Sequence, residues 1–414
     1  MSDVIVLGAG MVGVAAAIHL QRRGRSVLLL DRREPGRETS YGNAGLIQRE
    51  AVRPYVFPRD LKTLARIAGN RSIDARYHLS ALPGFVPALA RYWWHSAPQR
   101  YRQIVADYAT LIEHAVSEHA DLIGAAGAEG LVDRNGYLRV YRSSQLLDAA
   151  FAEADAVRAE HGVQHRKLGA ADIARLEPDL RMALAGAVQW PEPWAVNDPG
   201  GLVAAYARYF VSLGGTIVTG DAATLREAGA GWRVETVDGS AEAGEVVLAL
   251  GPWANKATRR LGYRLPLFIK RGYHMHYRAA PGARLNNWLY DGDHAYLITP
   301  MARGIRLTTG AEFAAHAAPP TPDQLEAAEL VARELFPLGE RIDPEPWVGA
   351  RPCTPDMKPI IGPAPRHRGL WFAFGHAHHG FTLGPVTGRL IAEQMTGETP
   401  LVNLAPFAAE RFLR

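Results

Sequence analysis

The sequence VIVLGAGMVGVAAAIHLQRRGRSVLLLDRR (residues 4–33) decides the fold class of this chain. The apolar run over 4–7 predicts a buried strand, the glycines after it predict a tight turn, and the residues up to about Arg23 predict a helix. Gly24 stops the helix, and a second apolar run ends at Leu30. This order of strand, glycine turn, helix and strand is typical of a unit that binds a dinucleotide.

The glycines of this turn have separate physical tasks. Gly8 allows the tight turn, Gly10 lets a pyrophosphate approach the backbone, and Gly13 lets the helix pack closely on the strand. The free N–H groups of the helix N-terminus face the phosphates, and Asp31, 23 residues after Gly8, can accept hydrogen bonds from both ribose hydroxyls. Because Asp31 disfavours a 2′-phosphate, the fingerprint predicts NAD or FAD and leaves the choice between them open.

The segment GRETSYGNAGLIQ (36–48) follows the second strand and favours a flavin over a nicotinamide. Thr39, Ser40 and Asn43 can donate hydrogen bonds to phosphates or to a ring edge, and Gly45 permits a close approach of the backbone. The alternative from composition is a simple polar loop.

Composition excludes several classes of protein. The chain has 414 residues, 48% of them hydrophobic and 21% charged, which is ordinary for a globular protein. Its net charge of +4 comes without a long basic run, so we expect no nucleic-acid partner. The one cysteine, Cys353, excludes an intrachain disulfide and a thiolate-rich zinc site. Glycines interrupt the apolar residues 4–20, and no charged leader precedes Val4, so we expect neither a membrane span nor a secretory signal.

Three motifs together resemble the D-amino acid dehydrogenase and glycine oxidase branch of the amine-oxidising flavoproteins. They are ETSYGNAG (38–45), GARPCTPDMKPIIG (349–362) and GHAHHGFTLGPVTGRLIAEQM (375–395), and the likeness covers nearly the whole chain in the expected order. A buried strand predicted in GEVVLALGPWA (244–254) ends in Gly251 and returns to the nucleotide sheet. The resemblance implies that FAD binds in extended form, with its ADP on the N-terminal unit and its flavin reaching the C-terminal segment.

The fingerprint, the polar loop and the resemblance together predict the cofactor-binding residues. Cys353 lies two residues after Arg351, in a different register from the cysteine that attaches FAD in sarcosine oxidases, so we predict noncovalent FAD. The predicted set is Gly8, Gly10, Met11, Val12, Gly13, Asp31, Arg32, Thr39, Ser40, Asn43, Ala44, Gly45, Leu46, Ala222, Gly251, Trp253, Gly375, His376, His379, Gly380, Phe381 and Thr382.

The stretch GHAHHGFTLGP (375–385) carries three histidines within four positions. A metal site would need these imidazoles to converge from one glycine turn without help from cysteine or a nearby carboxylate, so we predict no metal. Gly375 and Gly380 instead bracket a turn into a helix that runs to about Met395, whose N-terminal amides can face the N1 and O2 edge of the flavin. A protonated His376, the expected flavin neighbour, would add to the stabilisation of negative charge there.

The substrate side is predicted from the chemistry of amino-acid oxidation. The carboxylate must be held so that the Cα hydrogen faces flavin N5, and the planar fork of an arginine, here Arg351, suits that task. Resemblance to glycine oxidase implies the same role for the arginine of the G-x-R-P motif, and it implies a matching tyrosine, Tyr296, in the segment 293–313. Tyr296 is also a strand residue of a predicted β-hairpin, and both roles can hold.

The chain is predicted to be an α/β protein in which a Rossmann-like FAD-binding domain is interleaved with an α+β substrate domain built on an antiparallel sheet. The FAD-binding domain is expected over residues 1–75, 143–262 and 349–414. The substrate-binding domain is expected over residues 76–142 and 263–348.

The predicted activity is FAD-dependent oxidation of the C–N bond of a D-amino acid, giving an imino acid and then a keto acid and ammonia. The alternatives are oxidation of an N-substituted glycine or a cyclic imino acid such as sarcosine, D-proline or hydroxy-D-proline, a flavin subunit of a multi-subunit dehydrogenase, and an NAD-dependent dehydrogenase. The electron acceptor is left open between a quinone, O2 and another flavoprotein.

Trp93 and Trp94 lie among arginines in residues 81–105. This pattern predicts either an interfacial patch for a membrane quinone or ordinary helical core packing, and core packing is the favoured interpretation. The expected location is the cytoplasm, with a peripheral contact at the inner face of the membrane as the alternative.

Overall fold

The computed structural model describes residues 2–413 as three sheets with helices packed against them. The strands are β1 (Val4–Leu7), β2 (Val27–Asp31), β3 (Leu46–Ile47), β4 (Ala75–Tyr77), β5 (Val132–Asp133), β6 (Tyr137–Tyr141), β7 (Arg166–Gly169), β8 (Gly186–Trp190), β9 (Trp194–Val196), β10 (Thr216–Ala228), β11 (Gly231–Thr236), β12 (Gly239–Ala243), β13 (Glu245–Leu248), β14 (Phe268–Ala279), β15 (Leu289–Asp291), β16 (Tyr296–Met301), β17 (Gly304–Thr308), β18 (Ala311–Phe313), β19 (Leu338–Arg341), β20 (Trp347–Cys353), β21 (Ile360–Pro363) and β22 (Leu370–Phe374). The helices are α1 (Met11–Arg22), α2 (Leu61–Ala68), α3 (Leu82–His95), α4 (Pro98–Ile112), α5 (Ala115–Ala125), α6 (Ser144–His161), α7 (Ala170–Leu176), α8 (Pro199–Ser212), α9 (Ala254–Arg260), α10 (Asp323–Leu335) and α11 (Gly384–Met395).

The first sheet has eight strands in the order β12-β11-β10-β2-β1-β13-β22-β21. Strands β10, β2, β1, β13 and β22 run parallel to one another. All four side chains of β1 are buried, because helices cover one face of this sheet and α9 with Trp232 and Tyr263 covers the other. The carboxyl ends of β1, β2 and β13 meet at one edge, where open parallel sheets bind their ligands.

The second sheet has eleven strands, in the order β4-β18-β14-β17-β16-β15-β6-β8-β7, with β19 and β20 also paired to β14. Strand β14 is antiparallel to each of its partners. Helix α10 packs on this sheet over a second apolar core that contains Leu307 and Phe336. A third, small sheet of β3, β9 and β5 contains the end of the predicted flavin loop.

The predicted fold class is confirmed, because a parallel sheet assembled from distant segments stands beside a largely antiparallel sheet. The domain boundaries at 75, 143, 262 and 349 stay a prediction. Strands β7 and β8 fall inside the predicted FAD-binding segment 143–262 and yet belong to the second sheet, so that segment contributes to both sheets.

Helix α3 corrects one expectation. Trp93 and Trp94 are 43% and 53% exposed, so core packing does not account for them. Arg59 and Arg100 cover the faces of these two rings at 3.9 and 3.6 Å from the centroids. The side chains therefore lie on the surface, each beside a cation.

Candidate active site

A cavity of about 1080 Å³ extends from the carboxyl ends of β1, β2 and β13 to strands β14 and β20 of the second sheet. This volume lies slightly above the range of about 300–1,000 Å³ typical of ligand sites. The predicted residues that line it are Gly8, Gly10, Met11, Val12, Asp31, Arg32, Thr39, Ser40, Asn43, Ala44, Leu46, Ala222, Gly251, Trp253, Arg351, His376, His379, Gly380 and Phe381. The predicted residues that do not line it are Gly13, Gly45, Gly375, Thr382 and Tyr296.

The glycine turn between β1 and α1 leaves open space at one position only. Gly8 has a φ of +107°, and a Cβ atom there would lie 2.5 Å from the carbonyl oxygen of Ala249. A Cβ atom on Gly13 would lie 1.8 Å from the carbonyl oxygen of Gly8, so this glycine permits helix packing and does not face the cavity. On Gly10 the nearest atom is Ser40 Oγ at 3.4 Å, so a ligand can approach the backbone here.

The adjoining region has the chemistry of a ribose and adenine site. The Oδ2 atom of Asp31 accepts a hydrogen bond from the backbone N–H of Ala9 at 2.6 Å, which fixes the carboxylate beside the glycine turn. The guanidinium of Arg32 stacks over Trp253 at 4.3 Å and pairs with Glu38 at 2.6 Å. A carboxylate at the end of β2 and an aromatic face next to it suit the nucleoside part of a dinucleotide.

The loop 38–48 connects the two large sheets. The hydroxyl of Ser40 accepts a hydrogen bond from the N–H of Met11 at 3.1 Å, and the hydroxyl of Thr39 donates to the carbonyl of Ala350 on β20 at 3.2 Å. The loop therefore holds the start of α1 and the strand of Arg351 in a fixed relation.

Glycine and amide side chains shape the second half of this loop. The N–H of Gly45 donates to Asn43 Oδ1 at 2.8 Å, and a Cβ atom on Gly45 would lie 2.1 Å from the carbonyl oxygen of Val196. Gly45 is therefore required by the close approach of the neighbouring strand β9. The hydroxyl of Thr382 donates to the carbonyl of Leu46 at 3.1 Å and so supports the loop from behind.

The turn 375–383 closes the cavity on the side of α11. Ala377 has a φ of +51°, and its N–H donates to the carbonyl of Pro352 at 2.8 Å, which ties this turn to β20. Two more non-glycine residues with positive φ, Ala295 and Met357, also line the cavity. Such backbone strain concentrates at functional sites.

The histidines of this turn are neutral at neutral pH, which corrects the expectation of a protonated His376. Burial lowers the pKa of His376 to about 3 and that of His379 to about 3. The Nε2 atom of His376 is 2.9 Å from the hydroxyl of Thr387, and the Nδ1 atom of His379 is 2.5 Å from the hydroxyl of Tyr108. Residues 2–413 contain no group of three or more side chains placed to hold a metal ion.

Arg351 lies on β20 with part of its side chain open to the cavity. Its guanidinium donates to the carbonyl oxygens of Gly310 at 2.6 Å and Thr309 at 3.3 Å. Within residues 2–413 no carboxylate lies within 4 Å of it, and burial lowers its pKa. A half-buried guanidinium held only by neutral carbonyls is available to bind an anion from the cavity.

Tyr296 does not line the cavity, so the expectation that it donates to the substrate carboxylate is wrong. Its side chain is fully buried in the second core, and its hydroxyl accepts a hydrogen bond from Arg142 at 3.2 Å. The neighbours Ala295 and Leu297 line the cavity instead. Successive strand residues face opposite sides, so a difference of one position decides which residue reaches the cavity.

Sequence reasoning missed several ionisable residues of this cavity, among them Lys270 and Glu50. Lys270 is one of only five lysines in the chain and follows the apolar pair Phe268 and Ile269, which was the available signal. Burial raises the pKa of Glu50, which accepts hydrogen bonds from Gln48 at 2.7 Å and from a tyrosine hydroxyl at 3.0 Å. No sequence pattern marked Glu50 as buried.

Proteins of related sequence and fold identify the family of this chain. The family model described as FAD dependent oxidoreductase matches residues 3–394. A D-amino-acid oxidase of Bradyrhizobium diazoefficiens is 31% identical over 99% of both chains, and a D-amino acid dehydrogenase of Chromohalobacter salexigens is 29% identical over 97% of both. The solved structure of glycine oxidase from Geobacillus kaustophilus superposes with a TM-score of 0.73 at 24% identity, covering 99% of this chain and 98% of that one. The relationship predicted from the three motifs is confirmed, and the chain belongs to the family of FAD-dependent oxidoreductases.

Proposed function

We propose that this enzyme oxidises the C–N bond of a D-amino acid, giving an imino acid that hydrolyses to a keto acid and ammonia. The observation that carries the proposal is Arg351, a half-buried cation that lines the same cavity as the glycine turn and has no carboxylate partner among residues 2–413. The two relatives named D-amino-acid oxidase and D-amino acid dehydrogenase support the amino-acid substrate and its D configuration.

The chain's own contribution is positioning. Bound FAD supplies the acceptor for the hydride that leaves Cα of the substrate. The guanidinium of Arg351 binds the substrate carboxylate, and its hydrogen bonds to Thr309 and Gly310 fix the direction of the fork. A carboxylate fixed in this way sets the orientation of Cα, which is where such a site gains most of its rate. The cations of the cavity also favour the neutral amine, whose lone pair assists hydride loss.

The cofactor assignment rests on the fit of the cavity lining to FAD. In this proposal Gly10 and Ser40 face the pyrophosphate, and Asp31 binds the ribose hydroxyls. The turn 375–383 lies beside the flavin, and the N-terminus of α11 stabilises negative charge on it. Burial raises the pKa of the Cys353 thiol, so it is not the thiolate that covalent attachment needs, which supports noncovalent FAD.

We also infer a peripheral contact with the inner face of the cytoplasmic membrane, which would bring a quinone within reach as electron acceptor. Residues 59–102 contain eight arginines or lysines against two aspartates. The same segment exposes Leu61, Trp93 and Trp94. Exposed tryptophan and leucine beside arginines suit an anionic lipid surface.

None of the helices within residues 2–413 meets the length and hydropathy expected of a membrane-crossing helix. Sedimentation with anionic vesicles tests the contact, and a protein that stays in the supernatant excludes it.

The first experiment follows the flavin absorbance near 450 nm under anaerobic conditions while single compounds are added. Loss of colour with D-amino acids and not with L-amino acids is the expected result. Bleaching only with sarcosine, D-proline or hydroxy-D-proline would replace the proposed substrate by the alternative class. Air, a soluble quinone or an electron-accepting flavoprotein is then admitted, and rapid return of the colour identifies the acceptor. A yellow protein that no amine bleaches would contradict the proposed function and favour a missing partner subunit.

A further inference from the structure

Lys270 and Arg351 form a pair of cations in the wall of the cavity. They are directly opposite each other in the antiparallel pair of β14 and β20. Residues opposite each other on antiparallel strands project from the same face with Cβ atoms about 4.5–5.5 Å apart. Both side chains line the cavity, so their charges face the same space.

Neither cation has a carboxylate partner within residues 2–413. The ammonium of Lys270 donates to the hydroxyl of Tyr92 at 3.4 Å, and the rings of Tyr92, Phe268 and Phe313 surround it at 4.5, 5.6 and 5.7 Å. These rings attract a cation but cannot neutralise it. Burial, with a contribution from Arg351, lowers the pKa of Lys270.

The buried cations elsewhere in residues 2–413 are satisfied either by a carboxylate or by several neutral acceptors. The ammonium of Lys358, another buried lysine, lies 2.6 Å from a carboxylate oxygen of Asp107. Arg271, next to Lys270 on β14, lies 2.6 Å from a carboxylate oxygen of Glu312. Arg306 has no ion pair among the described residues and donates instead to the carbonyl oxygen of Tyr41 and to His276 Nε2, both at 3.1 Å. Lys270 has neither kind of partner beyond one hydroxyl, which sets it apart from these cations.

The carboxylates that line the same cavity are engaged with other groups. Four of them have their own cation or hydrogen-bond donors: Glu38 with Arg32, Asp74 with Arg66, Glu153 with Arg139, and Glu50 with Gln48 and Tyr137. The other two, Asp31 and Asp221, accept hydrogen bonds from the backbone N–H groups of Ala9 and Ala223. None of these carboxylates is paired with Lys270 or Arg351, so both cations are available to an anionic ligand.

We propose that Lys270 binds a second carboxylate of the substrate, so that the preferred substrates are dicarboxylic amino acids such as D-aspartate and D-glutamate. The inference rests on the proposed function, in which Arg351 holds the α-carboxylate. A monocarboxylate neutralises only one of the two charges. A short dicarboxylate reaches both, because the cations lie on neighbouring strands and face one space.

The experiment compares matched substrates on the FAD-bound enzyme and on Lys270→Met, which keeps the length of the side chain and removes its charge. For the wild type we expect kcat/KM for D-glutamate and D-aspartate to exceed that for D-glutamine and D-asparagine by about 10- to 100-fold, the value of one hydrogen bond between charged groups. Lys270→Met should lose this preference, so that its kcat/KM values for the acids and for the matching amides agree within about 3-fold. Lys270→Arg should retain the preference.

Equilibrium binding gives a readout that needs no turnover. Calorimetric titration should show that succinate binds the FAD-bound wild type more tightly than butyrate does, and that Lys270→Met binds the two alike. Equal rates for acid and amide substrates in the wild type, with equal binding of succinate and butyrate, would overturn the inference. So would a Lys270→Met variant that lowers kcat for every substrate to the same degree, because this indicates a proton-transfer role.

These outcomes stay distinct from those of the proposed function. If D-glutamine and D-glutamate reduce the flavin equally well, the oxidation of amino acids stands and the role of Lys270 is wrong. If no amino acid reduces the flavin, the proposed function fails, and the binding of succinate to the wild type and to Lys270→Met still tests the cation pair.

Discussion

Arg271 and Lys270 are neighbours on strand β14, project from opposite faces of it and differ in how their charges are balanced. Arg271 projects from the face away from the cation pair, where its guanidinium bonds to Glu312 at 2.7 Å and to the carbonyl of Pro319 at 3.0 Å. The hydroxyl of Tyr273 donates to the same carboxylate at 2.9 Å. Lys270, one residue earlier, lines the cavity and meets only aromatic rings and a hydroxyl.

The difference separates a structural charge from a ligand-binding one. A cation that is buried with its own carboxylate is satisfied in the folded protein and contributes to the structure. A cation without a carboxylate partner in the wall of a cavity is available to bind an anionic ligand. Arg306, which is buried away from the cavity, is instead satisfied by the carbonyl of Tyr41 and by His276. The following predictions test this distinction, from the largest expected effect to the smallest.

Removal of the guanidinium on the cavity face should mainly affect catalysis. We expect Arg351→Ala to lower kcat/KM by about 10³-fold or more, because the substrate loses both a charged contact and its orientation. The protein should stay yellow and keep its unfolding midpoint. Arg351→Lys keeps the charge without the planar fork, so its kcat/KM should lie between that of the wild type and that of Arg351→Ala. Near-normal kinetics of Arg351→Ala would refute the carboxylate clamp.

Removal of the carboxylate on the other face should mainly affect stability. Glu312→Gln leaves Arg271 buried without a neutralising partner, so we expect the free energy of unfolding to fall by about 3–5 kcal/mol in urea titrations. Replacing both residues by apolar ones, as Arg271→Met with Glu312→Leu, should recover much of that loss. If the single and double variants lose the same stability, the buried charge is not the cause.

His19 is a third kind of buried ionisable group, with neither a charged partner nor a ligand cavity. Burial and then Arg22, Arg23 and Arg389 lower its pKa to about 3, and its Nε2 atom has no hydrogen-bond partner among the described residues. The unfolded chain binds a proton near pH 6.5 and the folded one does not, so stability is lost as the pH falls below 6.5.

This sign gives a pH-dependent prediction. Between pH 7 and pH 5, His19 should lower the free energy of unfolding by about 2 kcal/mol. His19→Leu should therefore lose about 2 kcal/mol less than the wild type over this interval, as measured by urea titrations at both pH values. The same pH dependence in both proteins would mean that His19 is not held neutral by burial.

Much of the nucleotide half could be predicted from the sequence, because its signals are local. A strand, a glycine turn and a helix within 20 residues restrict the chain to few local conformations. The close contact between Gly13 and Gly8 is equally local, because these residues are only five positions apart. The position of Asp31 at the end of β2 follows in the same way from the length of one apolar run. Composition and the three motifs then predicted the family.

The substrate side depended on contacts between distant segments. Lys270 and Arg351 are 81 residues apart, and only the register between β14 and β20 puts them opposite each other. In the same way, the placement of strand β16 in the sheet decides that Tyr296 faces the second core and that Leu297 faces the cavity. The degree of burial also depends on the assembled fold, and no local pattern reports it. His376 is buried and therefore neutral, whereas Trp93 is exposed. The sequence by itself determined the cofactor family and the glycine turn, whereas the tertiary structure decided which charges meet in the cavity, because strand pairing and desolvation are properties of the assembled fold.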